Sequence, residues 1–269
     1  MNNLTLQRRG VRTILVSGVR WIVTQRFFDR FTDFVTRTRV GQSETVNHAG
    51  STLILSHVNP QTRSRNTTFA TKEPETLTWI ESFLPGQVLW DIGANVGLYS
   101  VYAAKKDVQV VAIEPSVFNL EFLVRNICLN KLENKIWVLP MAVGTPSPSF
   151  ETLNLASASW GDSGNAFATN KDSLGQEGRF SFSYNLPGIP LDSLTTIFRT
   201  PEPDHVKIDV DGIEADIVES GPRVFSRVSS VLVEVPKISG SSERIAEALT
   251  FAGLTLRTIT RQNQIWFRE

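Results

Sequence analysis

A strand running into a glycine turn and then a helix leaves this chain few folds to choose from: VLWDI, then Gly93-Ala94-Asn95-Val96-Gly97, then LYSVYAAK. Glycine at such a turn lets backbone approach a ligand with no Cβ in the way. The helix that starts there points free N–H groups and partial positive charge at the same place. The next apolar run, VQVVAIEP, ends on Glu114, 21 residues beyond Gly93. An acid at that strand end accepts hydrogen bonds from both hydroxyls of a ribose. Strand, turn, helix and acidic strand end together read as one adenosine-binding unit.

The alternation continues. VFNLEFLVRNICLN reads as a helix, KIWVLPMAV as a strand, and HVKIDVDG and VSSVLVEV as two more strands. Strands alternating with helices predict a parallel sheet. LTLRTI and NQIWFRE suit a terminal antiparallel hairpin. The prediction is an α/β, Rossmann-like domain over 70–269, preceded by a helix and short strands over 1–69. Within 40–70, TLILSHV reads as a strand and NPQTRSRN as a polar turn. Lys72-Glu73-Pro74-Glu75 opens a helix, ETLTWIESFL, that is expected to end at Pro85-Gly86. The stretch 145–190, rich in Ser, Gly, Asn and Pro, is too long for a connector. It reads as a functional loop, a lid or an added hairpin.

Details of the turn discriminate among adenosine cofactors. A dinucleotide fingerprint needs G-x-G-x-x-G, and Asn95 occupies the middle glycine here. Asp91 would repel a pyrophosphate but suits the ammonium of a methionine tail. No phosphate loop of the G-x-x-x-x-G-K-[ST] type occurs. Three readings stay open: a methionine-tailed adenosine cofactor, a nicotinamide dinucleotide of an oxidoreductase, and an adenosine-binding protein without turnover.

A second constellation is Lys207-Ile208-Asp209-Val210-Asp211-Gly212, at the carboxyl end of a parallel strand, where α/β folds place ligands. A carboxylate there can take a proton from an acceptor hydroxyl, which makes Asp209 and Asp211 catalytic candidates. The same acids, with Glu234, resemble a magnesium site, and no metal ligand is assigned from them. The bland alternative is a Lys207 salt bridge and a helix cap by Asp211 before Gly212. Trp160 offers a flat apolar face, and Asp162, Ser163 and Asn165 offer directional hydrogen bonds. That mixture suits a sugar or another small polar acceptor. His57 and His205 are weaker candidates for a base.

Composition narrows the partners. Lys plus Arg and Asp plus Glu both number 27, so no global basic charge points to nucleic acid. Residues 1–40 nevertheless hold eight arginines against two aspartates. The stretch 8–31 has an apolar stripe at helical spacing. It reads as a helix packed on the body or on a second subunit, the alternative being peripheral contact with an anionic membrane. Oligomeric state is not readable. The single cysteine, Cys128, excludes an intramolecular disulfide and reads as a buried thiol, and cysteine usage fits a reducing cytoplasm. No signal peptide and no membrane span are expected.

VLWDIGANVGLYS, AIEP with NLEFLVRNICLN, PMAVG, GDSGN, PLDSL, VKIDVDGIEADIVESG and VLVEV come in an order that resembles FkbM-type methyltransferases, over roughly residues 70–257. The resemblance implies a class I methyltransferase fold with a mostly parallel seven-stranded sheet. It also implies S-adenosylmethionine as cofactor and methylation of a hydroxyl, often on a sugar or polyketide. Carried over by position, Asp91, Gly93 and Gly97 hold the methionine moiety, Glu114 the ribose, and Ala142 lies near the adenine. Asp211 departs from the family's usual Glu in D-V-E-G.

Overall fold

The computed structural model describes residues 25–35, 38, 41–172, 174–236, 238–260 and 262–269. The chain divides after Gln42. Before that point residues 25–35 are helical, with Phe27, Phe28, Phe31 and Phe34 exposed. The rest of the helix expected over 8–31 lies outside the described residues. No described helix is long and apolar enough to cross a membrane.

The unit from Ser43 to Glu269 is built on a seven-stranded sheet. Its strands are β3 (Val88–Ile92), β4 (Gln109–Ile113), β5 (Ile136–Leu139), β10 (His205–Ile208), β11 (Ser230–Glu234), β12 (Leu254–Ile259) and β13 (Asn263–Arg268). The order across the sheet is β12-β13-β11-β10-β3-β4-β5. Strands β5, β4, β3, β10 and β11 pair in parallel, and β13 runs antiparallel to both neighbours, so the sheet is mostly parallel but mixed. The terminal hairpin expected from the sequence is the β12–β13 pair. Alternate residues of β3 serve opposite faces: Val88, Trp90 and Ile92 join one buried cluster and Leu89 the other. Asp91 shares the face of Leu89.

Strand order reverses between β3 and β10, and that is where a crevice opens at the carboxyl ends. Helix α3 (Leu98–Lys105) follows the turn after β3, and α4 (Val117–Asn130) follows β4. Two buried asparagines of α4 hold the antiparallel pair β1 (Ser43–His48) and β2 (Ser51–Ser56) in place. Asn126 Oδ1 accepts from the Ser56 amide at 2.7 Å, and Asn130 bonds both the amide and the carbonyl of Ile54. Their side chains thereby complete backbone hydrogen bonding that would otherwise be buried unmet.

Several expectations are corrected. The polar run NPQTRSRN is not a turn but the start of helix α1 (Pro60–Lys72). Asn59 and Thr62 form a reciprocal capping box and Pro60 takes the first turn, a start signal strong enough to carry a polar helix. The next helix, α2 (Pro74–Glu81), stops short of Pro85. KIWVLPMAV is two strands, because Pro140 interrupts it between β5 and β6 (Ala142–Val143). Cys128 is exposed rather than buried, on the outer face of α4. The stretch 145–190 holds an added antiparallel hairpin, one of the forms expected of it, enlarged into a small sheet: β7 (Ser149–Leu155), β8 (Ala166–Phe167) and β9 (Phe182–Ile189) join β6 in the order β6-β9-β7-β8.

Candidate active site

The turn after β3 is bound back onto β4, since the amides of Gly93 and Ala94 both donate to the Ile113 carbonyl. Gly93 has φ +81°, and a Cβ there would stand 1.9 Å from the Asp209 carbonyl oxygen. Its lack of a side chain therefore serves the approach of two strand ends before it serves any ligand. Gly97 has φ +81° and faces Leu123 of α4, where a Cβ would stand 2.3 Å from Cδ1. Gly97 does not line the cleft.

Asn95 has φ 52° and joins three segments at once. Its amide donates to Glu114 Oε2 at 2.8 Å, its Nδ2 donates to the Asp162 carbonyl at 2.9 Å, and its Oδ1 accepts from the Val96 amide. Glu114, 4 % exposed, also accepts from the Ser116 amide at 2.8 Å and from Asn119 Nδ2. Burial pushes its carboxyl up to about 7 against those donors. Asn119 in turn bonds the Asp162 carbonyl and the Gly161 amide. The turn, the acid and the GDSGN segment are thus one hydrogen-bonded unit.

The resulting cleft encloses about 990 Å³, counting space open to solvent. One end is apolar, walled by Ile113, Met141, Ala142, Phe167 and Ile213. Glu114 and Asn119 line the cleft as well. The other end carries Arg65, Lys72, Asp209, Asp211 and Glu234. A smaller cavity adjoins this polar end and runs against Gly93, Asn95 and Tyr99, sharing Arg65, Lys72 and Asp209 with the main cleft.

At the polar end the acids differ in their partners. Lys207, 1 % exposed, donates to Asp209 Oδ2 at 2.5 Å, stands 3.8 Å from Asp91 Oδ1 and lies over the Tyr99 ring at 5.1 Å. The parallel register places Lys207 beside Asp91. Burial works to raise Asp209, but Lys207 and a hydrogen bond from Glu234 hold it well below the usual carboxylate range. Glu234 is pushed up to about 9, first by that hydrogen bond and then by burial, so it carries the shared proton. Asp211 is raised by burial, while its Oδ2 accepts from the amides of Gly164 at 2.6 Å and Asn165 at 3.2 Å. It does not cap a helix at Gly212, because the following helix α6 (Glu214–Glu219) starts later, with Ile213 at its cap. Asp91 is buried, accepts from Ser100 Oγ at 2.5 Å and leaves Oδ1 without a hydrogen-bond partner. Among the described residues, no group of three or more His, Cys, Asp and Glu is placed to hold a metal ion.

The cleft therefore brings together Gly93, Asn95, Glu114, Ala142, Asp162, Ser163, Asn165, Asp209 and Asp211. Asp91 and Gly97 stand behind it. Trp160 is outside: its ring rests against Phe122 and its Nε1 donates to Glu121 at 2.8 Å. His205 is far from the chemistry in another sense, held between Ser230 and Gln87 and stacked on Phe83. Arg65, Lys72 and Asn119 were not singled out by sequence reasoning. Reading 59–66 as a turn hides Arg65, Lys72 reads only as the opening of the next helix, and Asn119, the first residue of NLEFLVRNICLN, reads only as part of a helix.

A family model described as "Methyltransferase FkbM domain" matches residues 91–253. The chain belongs to this methyltransferase family. It is also 29 % identical, over 152 residues, to the hexuronic acid methyltransferase AglP of Haloferax volcanii. That match covers 55 % of each chain, so the chain spans about half the length of this curated relative. Among solved structures, precorrin-6Y C5,15-methyltransferase from Geobacter metallireducens is similar over 73 % of this chain and 87 % of its own, with 14 % identity and TM-score 0.44. A ribosomal protein L11 methylase from Lactobacillus delbrueckii subsp. bulgaricus is similar over 74 % and 79 %, with 14 % identity and TM-score 0.42.

Proposed function

We propose that this chain is an S-adenosylmethionine-dependent O-methyltransferase acting on a hydroxyl of a sugar or glycan. The observation that carries the reading is Glu114. It is a buried carboxylate fixed by two backbone amides, in a cleft lined by both apolar and charged side chains. An adenosine lying along the cleft would put its base against Met141, Ala142 and Phe167 and its ribose hydroxyls on Glu114. Asp91, buried behind the cleft and 3.8 Å from Lys207, acts on the ligand space only as a carboxylate beneath the glycine turn, which favours a polar methionine tail over a pyrophosphate. Asp162, Ser163 and Asn165 line the same cleft with the polar groups that a sugar needs. The hexuronic acid methyltransferase relative supports a sugar acceptor.

When bound, the cofactor supplies an electrophilic methyl group on a sulfonium. The chain's own contribution is alignment and proton removal. Holding acceptor oxygen and methyl carbon in line at near-attack distance supplies most of the rate. Asp211 is assigned as the proton acceptor: its Oδ2 is held by two amides, its Oδ1 has no hydrogen-bond partner among the described residues, and burial raises its proton affinity. Asp209, ion-paired to Lys207, is too weak a base for that step and serves as a fixed negative charge that orients polar groups.

The test is transfer of a labelled methyl group from S-adenosylmethionine to glycans and small metabolites of a cell extract. The expected product carries the label as an alkali-stable ether on a sugar. Label found only as a base-labile ester, or only on protein or RNA, would contradict the proposal.

A further inference from the structure

Two cations of α1 overhang the polar end, and they differ from the cation beneath them. Lys207 is matched by Asp209 and Asp91. Arg65, seven residues before Lys72 on the same helical face, lines both the main cleft and the smaller cavity beside the glycine turn. Its Nε donates to the Gly161 carbonyl at 2.8 Å, which fixes the plane of the guanidinium. The α1 segment is anchored to the same loop twice more, by Asn59 Nδ2 to the Trp160 carbonyl at 3.0 Å and by Gln61 Nε2 to Asp162 Oδ1 at 3.2 Å. No carboxylate of the described residues lies within ion-pair distance of Arg65. Lys72, by contrast, is partly engaged by Glu73 at 2.7 Å and is 59 % exposed.

We infer that Arg65, seconded by Lys72, forms a carboxylate-binding subsite at the junction of the two cavities. An arginine whose Nε edge is pinned presents its terminal nitrogens as a preset fork, the geometry that pairs with a carboxylate through two hydrogen bonds. The half-buried guanidinium attracts Asp211 but reaches no carboxylate of the described residues at ion-pair distance, and a ligand's negative charge would complete it. Two ligands of the proposed reaction can bring it: the methionine carboxylate of the cofactor, or a carboxylate on an acidic sugar acceptor. The inference rests on the cofactor reading above.

Calorimetric titration of wild-type protein, Arg65→Met and Arg65→Lys tests it. The probes are S-adenosylhomocysteine and 5′-methylthioadenosine, which keeps the adenosine and thioether but lacks the amino acid. If the subsite takes the methionine carboxylate, Arg65→Met weakens S-adenosylhomocysteine by about tenfold or more. Methylthioadenosine affinity then stays unchanged, which also shows that the adenosine half is folded. Arg65→Lys recovers only part of the loss. If the subsite takes an acceptor carboxylate, both adenosine ligands bind the variant normally. Saturation-transfer NMR on protein loaded with S-adenosylhomocysteine then shows glucuronate, but not glucose, bound by wild type and lost in Arg65→Met. Unchanged binding of S-adenosylhomocysteine together with unchanged glucuronate contacts overturns the subsite. Wild-type protein that bound neither adenosine ligand would overturn the cofactor reading, and the subsite with it.

Discussion

Glu114 and Asp209 stand at the ends of β4 and β10, on either side of β3, the first buried and the second half-buried. Their proton affinities move in opposite directions, Glu114 up to about 7 and Asp209 well below the usual range. Burial pushes both upward. Glu114 meets only neutral donors, the amides of Asn95 and Ser116 and the side chain of Asn119. Asp209 meets the ammonium of Lys207 and the proton of Glu234. His205, at the opposite end of β10, shows burial acting alone: its imidazole is pushed down to about 4. A full opposing charge outweighs desolvation, and dipolar donors only blunt it. The adenosine half of the cleft thus holds an acid that titrates near neutrality, while the reaction half holds charges locked in place.

Breaking the locked side should have the largest effect. Lys207→Met removes the counter-charge of both Asp91 and Asp209 and should cost about 3–5 kcal/mol of stability in urea unfolding. Adding Asp91→Asn should recover part of that loss. A cost below about 1 kcal/mol would mean that the two acids do not depend on Lys207.

Next comes Asp211→Asn, which keeps the two amide bonds but removes the basic oxygen. Turnover should fall by about a hundredfold or more, with S-adenosylhomocysteine affinity nearly unchanged. Asp209→Asn with the larger loss of turnover would reverse the assignment of the two acids.

The effect of burial alone is measured at His205. Its folded-state pKa lies below the unfolded value near 6.5, so its contribution to stability is present above that pH and is lost as pH falls toward about 4. Between pH 7 and 5 this should amount to about 2 kcal/mol, and His205→Gln should flatten that part of the stability curve by as much. An equal pH slope in the variant would mean that burial does not perturb the imidazole.

The two halves also differ in how far they can be read from the sequence. The adenosine half is local: one strand, one turn and one helix carry its glycines, and the acid follows one strand later, so spacing alone finds them. Even there the reasons shift, since Gly93 is required by the Asp209 carbonyl and Gly97 by Leu123 rather than by a ligand. The reaction half is assembled from α1, the loop around Gly161, β10 and β11, which are drawn from residues 60 to 234. Nothing in the run Asn59–Asn66 marks it as helical except its cap, so Arg65 goes unseen. Trp160 misleads for a related reason: an aromatic in a polar loop looks available until Phe122 and Glu121 are found beside it. Asn95 is legible only as a missing glycine, whereas in the fold it ties Glu114 to the added sheet.

The most direct test is the smallest effect, the pH dependence of S-adenosylhomocysteine binding through Glu114. Ribose hydroxyls donate to the ionised carboxylate, so binding must drive off the proton that Glu114 holds below about 7. Affinity measured by calorimetry should rise by about tenfold from pH 6 to pH 8 in the wild-type protein. In Glu114→Gln it should be flat over that range and weaker at pH 8 by about 1–2 kcal/mol. Wild-type affinity that does not change between pH 6 and 8, or a Gln variant that binds as the wild type does, would contradict the placement of the ribose on Glu114.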